Sequence, residues 1–167
     1  SLGHLYLAVT NWLGWGYSEE GKTMALASYG EPRYVDRLQE FVHMEKDGFI
    51  QYRTNETARA AIYRLFGKSR GSSEEITPFH KDVAASIQCI TNTVMVNLAR
   101  EARRLTQSRT LIVTGGVALN SVANGKIMEQ DLFENLEVYP HANDAGTAIG
   151  GAYWTEFHRY GRQKSTG

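Results

Sequence analysis

The chain has 167 residues, of which 42% are hydrophobic, 22% charged and 11% aromatic, the balance of a folded domain, which excludes disordered and fibrous architectures. Eighteen basic residues offset eighteen acidic ones, so bulk charge holds the chain neither on nucleic acid nor on an anionic membrane. The single cysteine, Cys89, excludes an internal disulfide framework and a cysteine-rich zinc module, and no segment reaches the roughly 18 apolar residues that span a bilayer, so a reducing, cytoplasmic setting is expected.

Leu5, Leu7, Ala8, Trp12 and Leu13 predict a first helix that closes near Gly14. Glu19 to Ala27 reads as a second helix, ended by Gly30, and Glu31-Pro32-Arg33 opens a third that carries Val35, Leu38 and Phe41. Val42 to Lys46 and Phe49 to Arg53 flank Asp47-Gly48, a dipeptide that accepts the positive φ of a tight hairpin turn. Thr54 caps a helix that runs to about Gly67, and the polar, glycine-containing residues 68–76 read as a mobile surface loop.

The strongest signal follows. Val83, Ile87, Ile90, Val94, Leu98, Ala102 and Leu105 recur at threes and fours, behind Thr77 as cap and Pro78 at the first helical position. Thr110 to Val113 is an apolar, β-branched run suited to a strand buried on both faces. A helix from about Leu119 to Gln130, a strand through Leu136, Val138 and Tyr139, and a helix from 147 to about 160 complete a βαβα unit with parallel strands. The tail after Arg162 is polar and expected to fray. One α/β domain over residues 1–167 is expected, and its apolar start suggests a piece of something longer.

Two segments fall where ligands gather in open α/β sheets, outside the C-terminal ends of strands. They are Thr114-Gly115-Gly116-Val117-Ala118-Leu119-Asn120 and Asn143-Asp144-Ala145-Gly146, each joining a strand to a helix. Paired glycines let backbone amides approach a phosphate, and a helix N-terminus favours its charge. The same glycines also suit a purely structural turn. Asn120 and Asn124, one turn apart, share a helix face and could offer amides to a nucleotide. Asp144 has two readings: a helix cap, worth about 1 kcal/mol, or a hard oxygen ligand for a metal. Lys22, near the start of its helix, is a candidate phosphate partner or a solvated charge. Trp12, Trp15 and Tyr17 are packing residues or a stacking surface for adenine. No Walker loop, nucleophile elbow or pair of histidines at ligand spacing occurs.

Four ordered blocks together resemble O-carbamoyltransferases of the nodulation and antibiotic-biosynthesis type. They are Glu20-Gly-Lys-Thr-Met-Ala-Leu-Ala-Ser-Tyr-Gly30, Asp82-Val-Ala-Ala-Ser-Ile-Gln88, Gly115-Gly-Val-Ala-Leu-Asn120 with Asn124-Gly125, and Asn143-Asp-Ala-Gly-Thr-Ala-Ile-Gly150. The resemblance implies a ribonuclease-H-like half of an actin-type ATPase fold, a mixed sheet flanked by helices. It implies use of ATP and carbamoyl phosphate, passage through carbamoyl adenylate, and transfer to a hydroxyl of a sugar or antibiotic- or nodulation-type precursor. By the match, Gly115, Gly116, Val117, Asn120, Asn143 and Gly146 belong to the pocket for nucleotide or carbamoyl phosphate, with Glu20 and Lys22 nearby. Asp144 becomes a ligand of a divalent metal: iron, zinc or magnesium. Ser28 and Ala25 depart mildly from the family's usual proline and glycine. The family's early half, with its His-x3-His ligands and first phosphate loop, and its adenylate-forming domain have no counterpart in these residues. The chain therefore resembles the second half of the carbamoyl-transfer domain, expected to be inactive alone. The alternative is a regulatory or kinase-like nucleotide-binding module of the same superfold.

Overall fold

A 29-residue helix, α5 (Pro78–Thr106), organises the domain in the computed structural model, which describes residues 1–45, 49–53 and 55–161. Its stripe Val83, Ile87, Ile90 and Val94 is buried, as a 3.6-residue period requires of a helix laid against other elements. Thr77 precedes it and Pro78 starts it. The core ends at Ala99, however: Leu105 is 66% exposed, because the last two turns run past the elements that cover the stripe.

Helices α1 (Leu2–Trp12), α2 (Glu20–Ala27), α3 (Val35–Gln39) and α4 (Ala58–Phe66) surround α5. Leu5, Val9 and Trp12 of α1 are buried at helical spacing. Trp12 is core: its ring packs against Phe66, Phe79 and His80, and its Nε1 donates to the Gly67 carbonyl at 3.0 Å. Tyr17 is exposed.

Several boundaries differ from expectation. Helix α3 begins after Tyr34, beyond the Pro32 turn. Helix α4 is capped by Thr57, whose Oγ1 accepts the Ala60 amide at 3.2 Å; Thr54 lies outside the described residues. Residues 68–76 do not hang free. The Arg70 side chain is buried, and its guanidinium donates to the carbonyls of Leu13, Ser72 and Glu74. One cation thus satisfies carbonyls from two segments and pins the loop to the end of α1.

Strands β1 (Val42–Met44) and β2 (Ile50–Tyr52) pair antiparallel; Asp47-Gly48, the expected turn, lies outside the described residues. Strands β3 (Thr110–Val113) and β4 (Asn135–Val138) pair parallel from Thr110–Asn135 to Val113–Val138. Between them runs α6 (Ser121–Met128), and α7 (Gly146–Tyr160) follows β4. The βαβα order is as read from the sequence. The fold class is α/β, with two separate two-stranded sheets among the described residues rather than one mixed sheet. The hairpin packs on α3 and the parallel pair stands apart from it.

Candidate functional site

The two turns at the C-terminal ends of β3 and β4 come together. Parallel pairing in register brings Val113 beside Val138, and the Gly115 amide donates to the Ala142 carbonyl at 2.8 Å. Neither turn is thus an isolated loop; each fixes the other.

The first turn is not the start of an α-helix, as the sequence suggested. Gly116–Leu119 forms a 3-10 turn, and Asn120 caps α6 with its Oδ1, which accepts the Ala123 amide at 3.0 Å. Gly115 has φ +98° and ψ 165°, a region essentially reserved for glycine. A Cβ built on Gly115 or Gly116 would meet no atom within 4 Å, so both backbones face open space. Val117 points elsewhere: its Cγ2 lies 3.5 Å from where a Cβ on Gly3 would stand. Only its backbone is available to a ligand.

Asn120 and Asn124 do not present their amides outward, which corrects the expectation drawn from their spacing. Asn120 exchanges hydrogen bonds with Gln88: Gln88 Nε2 donates to Asn120 Oδ1 at 3.0 Å, and Asn120 Nδ2 donates to Gln88 Oε1 at 3.1 Å. Asn124 Nδ2 donates to the Ala118 carbonyl at 2.7 Å, while its Oδ1 is buried with no partner among the described residues. Both asparagines brace the turn from beneath.

The second turn is held by its own backbone. Asn143 Oδ1 accepts the Ala145 amide at 3.2 Å, and its carbonyl accepts the Gly146 amide at 2.9 Å. A Cβ on Gly146 would come within 2.4 Å of the His141 carbonyl oxygen, so glycine here is a packing requirement. Asp144 is exposed, and among the described residues only its main-chain carbonyl is engaged, by the amide and hydroxyl of Thr147. No side chain caps α7. Of the two readings of Asp144, the cap is the one the geometry does not support.

Helix α2 lies beside this face. Ser121 Oγ approaches Met24 Sδ at 3.7 Å, and the Tyr6 hydroxyl, kept protonated chiefly by burial, also feels the Glu20 carboxylate. Lys22 is tied to Glu19, which also accepts the Gly16 amide at 2.6 Å. These hydrogen bonds hold the Glu19 carboxyl below its usual range. Lys22 therefore reaches a ligand only by leaving that partner.

Residues 1–153 match the family model described as "Carbamoyltransferase N-terminus". The chain belongs to this family. Over 171 residues the chain is 39% identical to the uncharacterized protein sll1178 of Synechocystis sp., covering 96% of this chain and 28% of that protein. It is 34% identical over 153 residues to nodulation protein NolO of Bradyrhizobium diazoefficiens, covering 91% of this chain and 28% of the relative. With nodulation protein U of Rhizobium tropici the identity is 30% over 152 residues, covering 83% and 26%. The chain thus spans about a quarter of the length of the curated relatives it matches.

Gln88 and Tyr6 contribute to this site although neither stood out as a site residue. The available signal was a polar amide within the otherwise apolar stripe of α5, between the buried Ile87 and Ile90.

Proposed function

We propose that this domain is the second half of the carbamoyl-transfer domain of an ATP-dependent O-carbamoyltransferase, in a ribonuclease-H-like half of an actin-type ATPase fold. The reaction moves a carbamoyl group from carbamoyl phosphate, through carbamoyl adenylate, to a hydroxyl of a sugar or of an antibiotic- or nodulation-type precursor. The observation that carries the reading is the Gly115–Ala142 hydrogen bond. It makes one surface of two turns, one whose glycines leave the backbone open and one carrying the exposed carboxylate of Asp144.

On this reading, the backbone of Gly115, Gly116 and Val117 lies against phosphate oxygens: the two glycines leave the approach open, and the amides of Gly116 and Val117 supply the donors while that of Gly115 holds Ala142. Asn143 and Gly146 shape the second turn, and Asn120 acts on the first from below. Glu20 and Lys22 flank the site from α2. Asp144 fits a divalent metal (iron, zinc or magnesium) in the chemistry of its donor, an exposed carboxylate with no side-chain partner among the described residues. Among the described residues no three histidine, cysteine, aspartate or glutamate side chains come together as a metal site, so Asp144 supplies one ligand and the remainder of the protein the rest. A bound divalent cation would offset phosphate charge at this surface.

The test is release of pyrophosphate from ATP by the full-length protein, assayed with and without carbamoyl phosphate. Release that requires carbamoyl phosphate is expected. It should disappear in Asp144→Ala, whose melting temperature should match the parent because Asp144 caps nothing. The 167-residue chain alone should not turn over. Full activity in Asp144→Ala removes the metal role; pyrophosphate release indifferent to carbamoyl phosphate removes the reaction.

A further inference from the structure

Beneath the Gly115–Leu119 turn lies a buried polar network centred on Gln88, whose residue surface is 5% exposed. Asn120 Oδ1 accepts the Ala123 amide as the α6 cap, which fixes the orientation of the Asn120 amide and turns its Nδ2 toward Gln88 Oε1 at 3.1 Å. Gln88 must then present its own Nε2 to Asn120 Oδ1 at 3.0 Å. The second N–H of that nitrogen reaches Asn92 Oδ1 at 2.7 Å, and Tyr6 donates its hydroxyl to Gln88 Oε1 at 2.8 Å. Burial pushes the Tyr6 hydroxyl far above its usual value; Asn120 opposes this in part, and the Glu20 carboxylate adds a lesser upward push. It stays a donor.

Gln88 therefore uses both donors and both acceptor positions, across α1, α5 and the cap of α6. An apolar side chain of similar volume would fill the same space without needing four aligned partners. A fully satisfied buried network specifies one arrangement more than it adds net stability. What it specifies here is the position of Asn120, the residue that closes the 3-10 turn and starts α6.

We propose that Gln88 is a positioning residue for the ligand-binding turn: through Asn120 it fixes where the amides of Gly116 and Val117 point. The inference rests on the reading that this turn holds a phosphate group. It touches no ligand itself, and its loss should weaken ligand binding by more than the fold is weakened.

The experiment uses the full-length protein and Gln88→Met, which keeps the volume and removes every hydrogen bond. Hydrogen exchange reads the turn directly. Amides of residues 115–120 should exchange faster in Gln88→Met, while those of the β1–β2 hairpin stay unchanged. Unaltered exchange at 115–120 overturns the inference whatever the ligand. Calorimetric titration with a non-hydrolysable ATP analogue, and separately with carbamoyl phosphate, should show about three- to tenfold weaker binding of at least one, the effect of losing one to two net hydrogen bonds. Asn120→Ser retains a cap but is too short to reach Gln88. Its loss of affinity should not add to that of Gln88→Met in the double variant; additive losses would overturn the route through Asn120. Tyr6→Phe, which removes one hydroxyl, should shift affinity in the same direction by less, and it replaces Gln88→Met if that variant fails to fold. A parent protein that binds neither ligand overturns the phosphate reading itself. A parent that binds, with a variant that binds equally well, overturns the role of Gln88 alone.

Discussion

At Gly115 and Gly116 two adjacent glycines answer different demands. Gly115 takes φ +98°, so Gly115→Ala should cost about 1–3 kcal/mol of stability through backbone strain, read from the denaturant midpoint. Gly116 has no such φ and a Cβ there meets nothing. Gly116→Val should leave the midpoint nearly unchanged and abolish nucleotide or carbamoyl phosphate binding by filling the approach to the amides; unchanged affinity would place the ligand elsewhere. His80 carries a separate, pH-dependent prediction. Its Nδ1 accepts the Thr77 amide at 3.1 Å at the head of α5, a part usually taken by glutamate or glutamine in a capping box. Burial and then the Arg70 charge lower its pKa below 6.5, against a smaller opposing pull from Glu74. The folded state thus resists the proton that the unfolded chain accepts, and stability should fall as pH drops below about 6.5. His80→Gln keeps an acceptor and removes the titration, so thermal unfolding between pH 7.5 and 5.5 should show a smaller decline in that variant.

Between elements, the tightest constraint lies where α2 meets α5. A Cβ on Gly30 would come within 2.2 Å of the Lys81 carbonyl oxygen and 2.7 Å of the Asp82 nitrogen. The same junction is tied by Asp82 Oδ1, which accepts the Glu31 amide at 2.8 Å, and by Ser86 Oγ, which accepts that of Tyr34 at 2.9 Å. Gly30→Ala should therefore force the helices apart, at a cost of about 1–3 kcal/mol, measurable as a lowered denaturant midpoint. Two of the sequence blocks that carry the family resemblance, 20–30 and 82–88, are in large part this junction. That explains what was legible. Long-period patterns dictated α5 and the parallel βαβα unit, because burial of a stripe or a strand is written in spacing. Three-dimensional substitutions were not. Arg70 pins a loop whose composition reads as free, since nothing local announces its bond to the distant Leu13 carbonyl. Asn120 was visible as a polar residue beside glycines, but its inward turn depends on Gln88, 32 residues earlier in the chain. The position of Asp144 on the same edge as Gly115 was readable; the absence of a cap bond from it was not.

Over the whole molecule, apolar surface is unevenly hidden. Among the described residues α7 buries none of its side chains, and it carries Tyr153, Trp154, Phe157 and Tyr160 largely exposed. On β3, Ile112 is 64% exposed within a run whose pattern suits burial on both faces. Large apolar side chains left exposed on a helix and on a strand mark surface that packs against something. The relatives are roughly four times as long as this chain, and further polypeptide of the same protein is the proposed cover. Phe157→Ala then separates the two situations. In the 167-residue chain it removes a side chain already 48% exposed and should change stability by no more than about 0.5 kcal/mol. In the full-length protein the same ring would be buried, and its removal should cost about 3 kcal/mol or more. Acrylamide quenching gives the independent check. Of the three tryptophans Trp12 is 1% exposed, Trp15 half-buried and Trp154 65% exposed, so Trp154→Phe should lower the quenchable emission of the short chain more than that of the long one. Equal quenching of Trp154 in both would show that α7 faces solvent in the intact protein and would remove the proposed cover.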